Sequence, residues 1–321
     1  MRGYINTVAS KDGIFLSKNS VLRKRKVQRA IQGYLLIAPK LIAFFVFTLY
    51  PMIWAISKSF FYDTGIKANV SFVGFENFAT AIRDTTFWRA WLTTFEFALL
   101  KLPIELPLAI ILAVFLNRKI KGRDFFRSLY FMPGIISVAI IGLIFSNMFE
   151  YFGFINAILG KMGIIEGGMD WLATKKSAML LLVIASTWAS FGCNILYCLA
   201  GLQNISEDLY EAARIDGATS LQIFWKITLP LMLPVLQVII LLAINGTLAT
   251  NDFVLVMTNG APGGQTNLIA SYLTKKFMPG FAESSVINVG YGASVYLLNS
   301  VIHTIIAVGY FKLSNILKNK Y

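Results

Sequence analysis

The chain has 321 residues, of which 56% are hydrophobic and only 14% charged, and its mean hydropathy is +0.65. A soluble domain of this length is less apolar and carries more charge, so the composition argues against an ordinary soluble enzyme. A net charge of +13 would suggest nucleic acid in a soluble protein; in so apolar a chain it is better read as Lys and Arg collected in inner loops, with no nucleic-acid partner.

Residues 1–33 are polar and basic and end in Arg23-Lys24-Arg25-Lys26. The apolar run that follows is too long for a cleaved signal and lacks a small-residue cleavage pattern, so 1–33 reads as a retained cytoplasmic tail beside anionic headgroups. The first span is about 34–57, with Pro39 and Pro51 near its ends and Lys40 placed to snorkel. Residues 58–90 form a mixed polar and aromatic loop containing FVGFENF. The second span, about 92–116, carries Glu96, Lys101 and Glu105. Lys101 and Glu105 share one helical face near mid-bilayer, where a lone charge is costly. They read either as a self-satisfied pair facing the bundle, the simpler view, or as polar lining of a path through it.

Residues 117–128 are strongly basic. The third span is about 129–149, with Pro133 and Gly134 loosening its start. A glycine-punctuated loop, 150–177, precedes the fourth span at about 178–199, whose Cys193 and Cys198 read as buried thiols. The fifth span is about 231–251, a Gly/Pro/Asn-bearing loop covers 252–288, and the sixth span is about 289–313. His303, the one histidine, reads as a packed, hydrogen-bonded residue within that span. Residues 314–321 are a short basic tail. The expected architecture is all-α and polytopic, six transmembrane helices over 34–313. With both termini inside, 18 of the 29 Lys and Arg fall on the cytoplasmic side and nine outside, which supports that orientation.

Between the fourth and fifth spans lies a polar insert, 201–229. Ser206 caps a short helix whose first turn holds Glu207 and Asp208. Leu209, Ala212, Ala213 and Asp216 share a nearly bare face. Asp216-Gly217 marks a turn, Ser220 caps a second helix with Leu221, Phe224 and Trp225, and Pro230 stops it. The insert is therefore an elbow on the cytoplasmic side.

Glu211-Ala212-Ala213, three residues, Gly217, nine residues, then Ile227, Leu229 and Pro230 resembles the E-A-A…G…I-x-L-P coupling loop of ABC importer membrane subunits. Asp216, Phe224 and Pro234 extend the likeness to the carbohydrate-uptake branch, with its maltose and glycerol-phosphate permeases. FVGFENF resembles a segment common after the first span there. The resemblance implies a type I importer fold in the cytoplasmic membrane of a prokaryote. It implies a second, related permease, two ABC ATPase subunits and an extracytoplasmic solute-binding protein as partners. In that family the elbow docks into a cleft on the ATPase, with Glu211 as anchor, Ala212 and Ala213 allowing close approach, Gly217 setting the angle, and Arg214 and Asp216 in support.

The chain lacks a G-x-x-x-x-G-K-[ST] phosphate loop, a metal-spaced His/Cys/acid cluster and a recognisable nucleophile–base motif. No cofactor is therefore expected in this chain, and no enzyme activity; ATP and Mg²⁺ belong to the ATPase partner. Polar residues within spans tend to line wet cavities or bond between helices. Ser190 and Asn194 lie four apart beside Trp188, and Asn245 and Asp252 lie seven apart on one face with Ala249 between. Amides, carboxylates and an aromatic face suit a sugar. By resemblance to the maltose permease, Ser190, Asn245, Ala249 and Asp252 fall at sugar-lining positions. The third-span counterparts, Gly134 and Val138, are small or apolar, which argues against maltose itself. The competing classes are a permease for another solute, an ion-driven secondary transporter and a membrane scaffold.

Overall fold

The computed structural model describes residue 28 and residues 31–64, 70–118, 121–278, 281 and 287–318. The basic cluster at 23–26 and most of the N-terminal tail lie outside the described residues. Residues up to Ser59 form one compact unit and the remainder another.

In the first unit, α1 (Ile31–Lys58) contains a π-helical turn at Phe45–Leu49. The amide of Tyr50 reaches back to the Phe45 carbonyl, one residue farther than an α-helical bond. Pro51 follows at once. Widening the turn accommodates a residue that has no N–H and whose ring crowds the preceding turn.

The second unit opens with a hairpin, β1 (Phe61–Tyr62) against β2 (Ser71–Phe72), in which Phe61 faces Phe72 with ring centroids 5.4 Å apart. The predicted loop at 58–90 thus has structure of its own, and FVGFENF runs from β2 into α2 (Glu76–Arg83). Four long helices follow the spans: α3 (Thr85–Asn117), α7 (Lys175–Leu202), α9 (Ser220–Leu248) and α11 (Val289–Lys318). The third span differs from the expected single helix. α4 (Arg123–Phe131) runs into a 3-10 turn at Met132–Ile135, and α5 (Val138–Met148) leaves at 97°. Pro133 cannot continue the ladder, and the extended backbone at Ile136 and Ser137 turns the chain. Among the described residues, five helices are long and apolar enough to cross a membrane, or six with the bent pair taken as one span.

α3 and α7 share the most extensive packing. Their small residues Ala109 and Ala113 meet Ile195 and Leu199, with Met232 and Leu236 of α9 completing the layer. Gly192 permits the end of α4 to approach, since a Cβ there would lie 2.1 Å from the Tyr130 carbonyl oxygen. α6 (Phe154–Lys161) lies within the predicted glycine loop. Asn156 fastens that segment, donating to the carbonyls of Glu150, Tyr151 and Met169 and accepting from the Trp171 indole at 3.0 Å. The predicted loop 252–288 likewise holds a buried helix, α10 (Ile269–Phe277). Ile269, Tyr272 and Leu273 pack with Phe87, Trp91 and Leu248, and the Ile269 amide donates to Thr94 Oγ1 at 2.8 Å. His303 lies against the Trp91 ring, centroids 5.2 Å apart, with Nδ1 3.1 Å from the Asn299 carbonyl oxygen.

Asp84 joins three of these helices. One carboxylate oxygen caps α3 through the amides of Thr86 and Phe87, and the other accepts from the hydroxyls of Tyr272 (2.6 Å) and Tyr291 (2.9 Å). Partial burial raises its pKa, but the two tyrosine bonds and the two amide bonds together outweigh it, and the carboxyl titrates below its ordinary value. A depressed carboxylate pKa gives stability that is present above the ordinary value of about 4 and lost as pH falls through the folded value. Asp84→Asn should therefore destabilise the protein at pH 7 by on the order of 1–2 kcal/mol, discounted for partial exposure. Melting curves in detergent should show the gap to wild type closing below about pH 4; a gap that persists there would remove the charge from the account.

Candidate functional site: an elbow joined to a polar cleft

The elbow is built from α8 (Glu207–Ile215), a turn, and the start of α9. Ser206 caps α8 by accepting from the Asp208 amide. At the other end, the Ala218 amide donates to the Ala213 carbonyl at 2.9 Å and the Gly217 amide to the Arg214 carbonyl at 3.1 Å. This paired closure requires a left-handed residue, and Gly217 supplies it with φ of +76°. The second helix is capped one residue earlier than Ser220. Thr219 accepts from the Gln222 amide while the Gln222 side chain accepts from the Thr219 amide at 2.8 Å, a capping box. The Thr228 hydroxyl donates to the Tyr210 hydroxyl at 3.3 Å, tying the two arms.

Pro230 does not end the second arm. A π-helical turn at Phe224–Thr228 precedes it, the Leu229 amide bonding back to the Phe224 carbonyl, as at Pro51 in α1. The helix runs on without interruption to Leu248, so the elbow arm and the fifth span are one 29-residue rod, about 43 Å long. The predicted bare face is divided. Glu211, Ala212, Arg214, Asp216 and Gly217 are exposed, whereas Ala213 turns inward. Ile215 on the first arm and Leu221 and Trp225 on the second also stand exposed, leaving apolar surface on both arms of the elbow.

The rod's far end borders a cleft of about 420 Å³ between α3, α7, α9 and the residues after it. Four of the six predicted path residues, Ser190, Asn194, Ala249 and Asp252, line it, joined by Lys101, Glu105, Val138 and Cys193. The other two do not. Trp188 points instead toward Phe145, ring centroids 5.7 Å apart, and Asn245 is exposed elsewhere on α9. The expected shared face of Asn245 and Asp252 is lost because α9 ends at Leu248 and a new short helix starts at Asp252. Gly134 is likewise a packing residue, its Cα facing Cys193 Sγ so closely that a Cβ would lie 3.1 Å from it.

At the floor of the cleft Lys101 and Glu105 form a buried pair, Nζ to Oε2 at 2.7 Å. Lys101 also donates to Thr247 Oγ1 of α9 at 3.2 Å. Glu105 Oε1 accepts from Ser190 Oγ at 2.5 Å and Asn194 Nδ2 at 2.8 Å, both on α7. The pair therefore satisfies itself, as the simpler reading from sequence has it, and also borders the cleft. Pro103 and Pro107 flank Glu105 and remove two backbone hydrogen bonds from α3 at mid-span. Glu96 belongs to a different contact, an ion pair with Lys175 at the start of α7.

Comparison with known proteins bears on this geometry. The family described as binding-protein-dependent transport system inner membrane component matches residues 105–310. The chain is 34% identical over 308 residues to the arabinooligosaccharides transport system permease protein AraP of Bacillus subtilis (strain 168), covering 95% of each. It is 32% identical over 295 residues to the trehalose/maltose transport system permease protein MalF of Thermococcus litoralis, covering 92% of this chain and 97% of that one. Its fold is similar to a chain of a bacterial ABC transporter involved in the import of the acidic polysaccharide alginate, with TM-score 0.76, 23% identity, and 91% and 97% of the two chains covered. The family match spans well over half of the chain and the relatives nearly all of it: this protein belongs to the inner membrane components of binding-protein-dependent transport systems.

Proposed function

We propose that this chain is the permease subunit of a carbohydrate importer, and that it passes a neutral sugar or oligosaccharide through the cleft while ATP is hydrolysed on separate subunits. The observation that carries the proposal is the continuous α9 rod, which places a rigid elbow at one end and the polar cleft at the other. A push on the elbow moves the wall of the cleft without an intervening hinge at Pro230. The cleft chemistry favours an uncharged, hydroxyl-rich solute. Lys101, the one cation among the lining residues, is bound by Glu105, and Asp252 leaves the lining net negative. A phosphate ester such as glycerol phosphate would meet no free cation there. Two curated relatives are named for arabinooligosaccharides and for trehalose and maltose, whereas another is named for sn-glycerol 3-phosphate and the structural neighbour for acidic alginate, so the preference for a neutral solute rests on the cleft lining.

In this reading both termini and the elbow face the cytoplasm of a prokaryotic cell. The chain pairs with a second permease, two ATPase subunits that hold ATP and Mg²⁺, and an extracytoplasmic binding protein. The chain contributes geometry, with no catalytic residue of its own. The test is reconstitution with those partners in vesicles, offering trehalose, maltose, lactose, arabinotriose and sn-glycerol 3-phosphate. ATP-dependent uptake of a neutral sugar and its stimulation of ATP hydrolysis are expected. Uptake that continues on an ion gradient after ATP is removed, or elbow labelling from the outer face, overturns the proposal.

A further inference from the structure

We infer that Glu105 is a positioning residue for solute recognition: its carboxylate dictates which way the Asn194 amide faces, and so fixes the hydrogen-bonding character of the cleft. This rests on the cleft being the solute path. An ionised carboxylate accepts hydrogen bonds and donates none. Asn194 must therefore turn Nδ2 toward Glu105 Oε1, as observed at 2.8 Å, and its Oδ1 takes no donor among the described residues. The Ser190 proton has two acceptors in reach, Glu105 Oε1 at 2.5 Å and the Ser186 carbonyl at 2.8 Å, and the charged oxygen is the stronger. Lys101 holds the second carboxylate oxygen at 2.7 Å and is itself anchored to Thr247, so Glu105 Oε1 stays aimed at α7.

The consequence is a defined pattern. The α7 wall offers the cleft an amide oxygen, an acceptor, beside the exposed Asp252 carboxylate. Such a wall selects solutes that bring hydroxyl donors and disfavours those that bring anionic acceptors. A neutral Gln at 105 could face Asn194 with either its oxygen or its nitrogen, and the amide would then be free to turn over. Four residues that look like internal scaffolding would thus decide specificity through one amide.

The test uses the whole importer in vesicles, with the same binding protein in every arm. The two panel sugars imported fastest by wild type are compared through the ratio of their kcat/KM values. Lys101→Met/Glu105→Gln removes both charges together, and Asn194→Ala removes the amide while leaving the ion pair and Ser190 in place. Both variants should shift the ratio in the same direction by about tenfold, and combining them should add little further. A merely structural role would slow both sugars in proportion, and that result overturns the inference. If the double variant does not assemble, Asn194→Ala decides alone, and an unchanged ratio overturns it. A wild-type complex that imports none of the sugars with ATP sinks the solute-path reading itself, before any variant is compared.

Discussion

Lys101→Met should destabilise the protein by about 3–5 kcal/mol, while Lys101→Met/Glu105→Gln should recover much of that loss. The asymmetry follows from burial. Lys101 and Glu105 are 4% and 1% exposed, so removing the ammonium strands a carboxylate that has no other cation within reach in the described structure. Ser190 and Asn194 would still donate to Oε1, but two neutral donors do not replace a charge. The double change removes both desolvation costs and leaves side chains of similar volume. The site is also where α3 is weakest, because Pro103 and Pro107 have taken two bonds out of its ladder. Loss of the pair should therefore loosen α3 against both α7 and α9. Melting temperature and assembled yield in detergent are the measurements. Equal destabilisation by the single and double variants would mean that the pair's packing matters and its charge balance does not.

What could be read from residues alone was whatever is encoded locally. Hydropathy located the spans, and Ser206 and Gly217 announced a helix start and a helix end through chemistry that acts within a few residues. Pro230 misled because a breaker is only a breaker if the preceding turn stays α-helical. The π-helical turn at Phe224–Thr228 absorbs it, and no local signal distinguishes the two outcomes. The bend in the third span was hinted at by Pro133 and Gly134 but masked by an unbroken apolar run. α10 had a usable signal in Ile269, Tyr272 and Leu273 at i, i+3, i+4, overshadowed by the glycines before it. The cleft was the hardest part. Ser190 and Asn194 meet Glu105 across 85 and 89 residues of chain, and such contacts are set by helix packing, which spacing within one helix does not reveal.

Glu211→Lys should abolish solute uptake while leaving the amount of complex in the membrane near wild type. Glu211 is exposed on α8 and makes no contribution to a core, so reversing its charge has little to unfold. Its surroundings are nevertheless stiff. The Ser206 cap, the Gly217 closure, the Thr219–Gln222 capping box and the Tyr210–Thr228 bond fix the elbow's shape before any partner arrives. A preorganised surface loses little freedom on docking, so binding depends strongly on the few groups that touch. In the proposed docking, exposed Ile215, Leu221 and Trp225 would provide apolar contact area, and Glu211 the charge that would pair with a cation on the ATPase. Breaking such a pair at a buried interface typically costs about 2–5 kcal/mol, and a like charge costs more, enough to reduce coupling by about 30-fold to several thousand-fold. Glu211→Gln should fall between wild type and Glu211→Lys. Gly217 offers a second handle that leaves the charge alone: Asn tolerates a left-handed backbone and should preserve uptake, whereas Val does not and should impair it, although nothing lies within 4 Å of the added atom. The measurements are solute uptake, complex abundance in membranes and sugar-stimulated ATP hydrolysis. Normal uptake with Glu211→Lys would remove the elbow from the coupling path, and the 29-residue rod behind it would then have no mover.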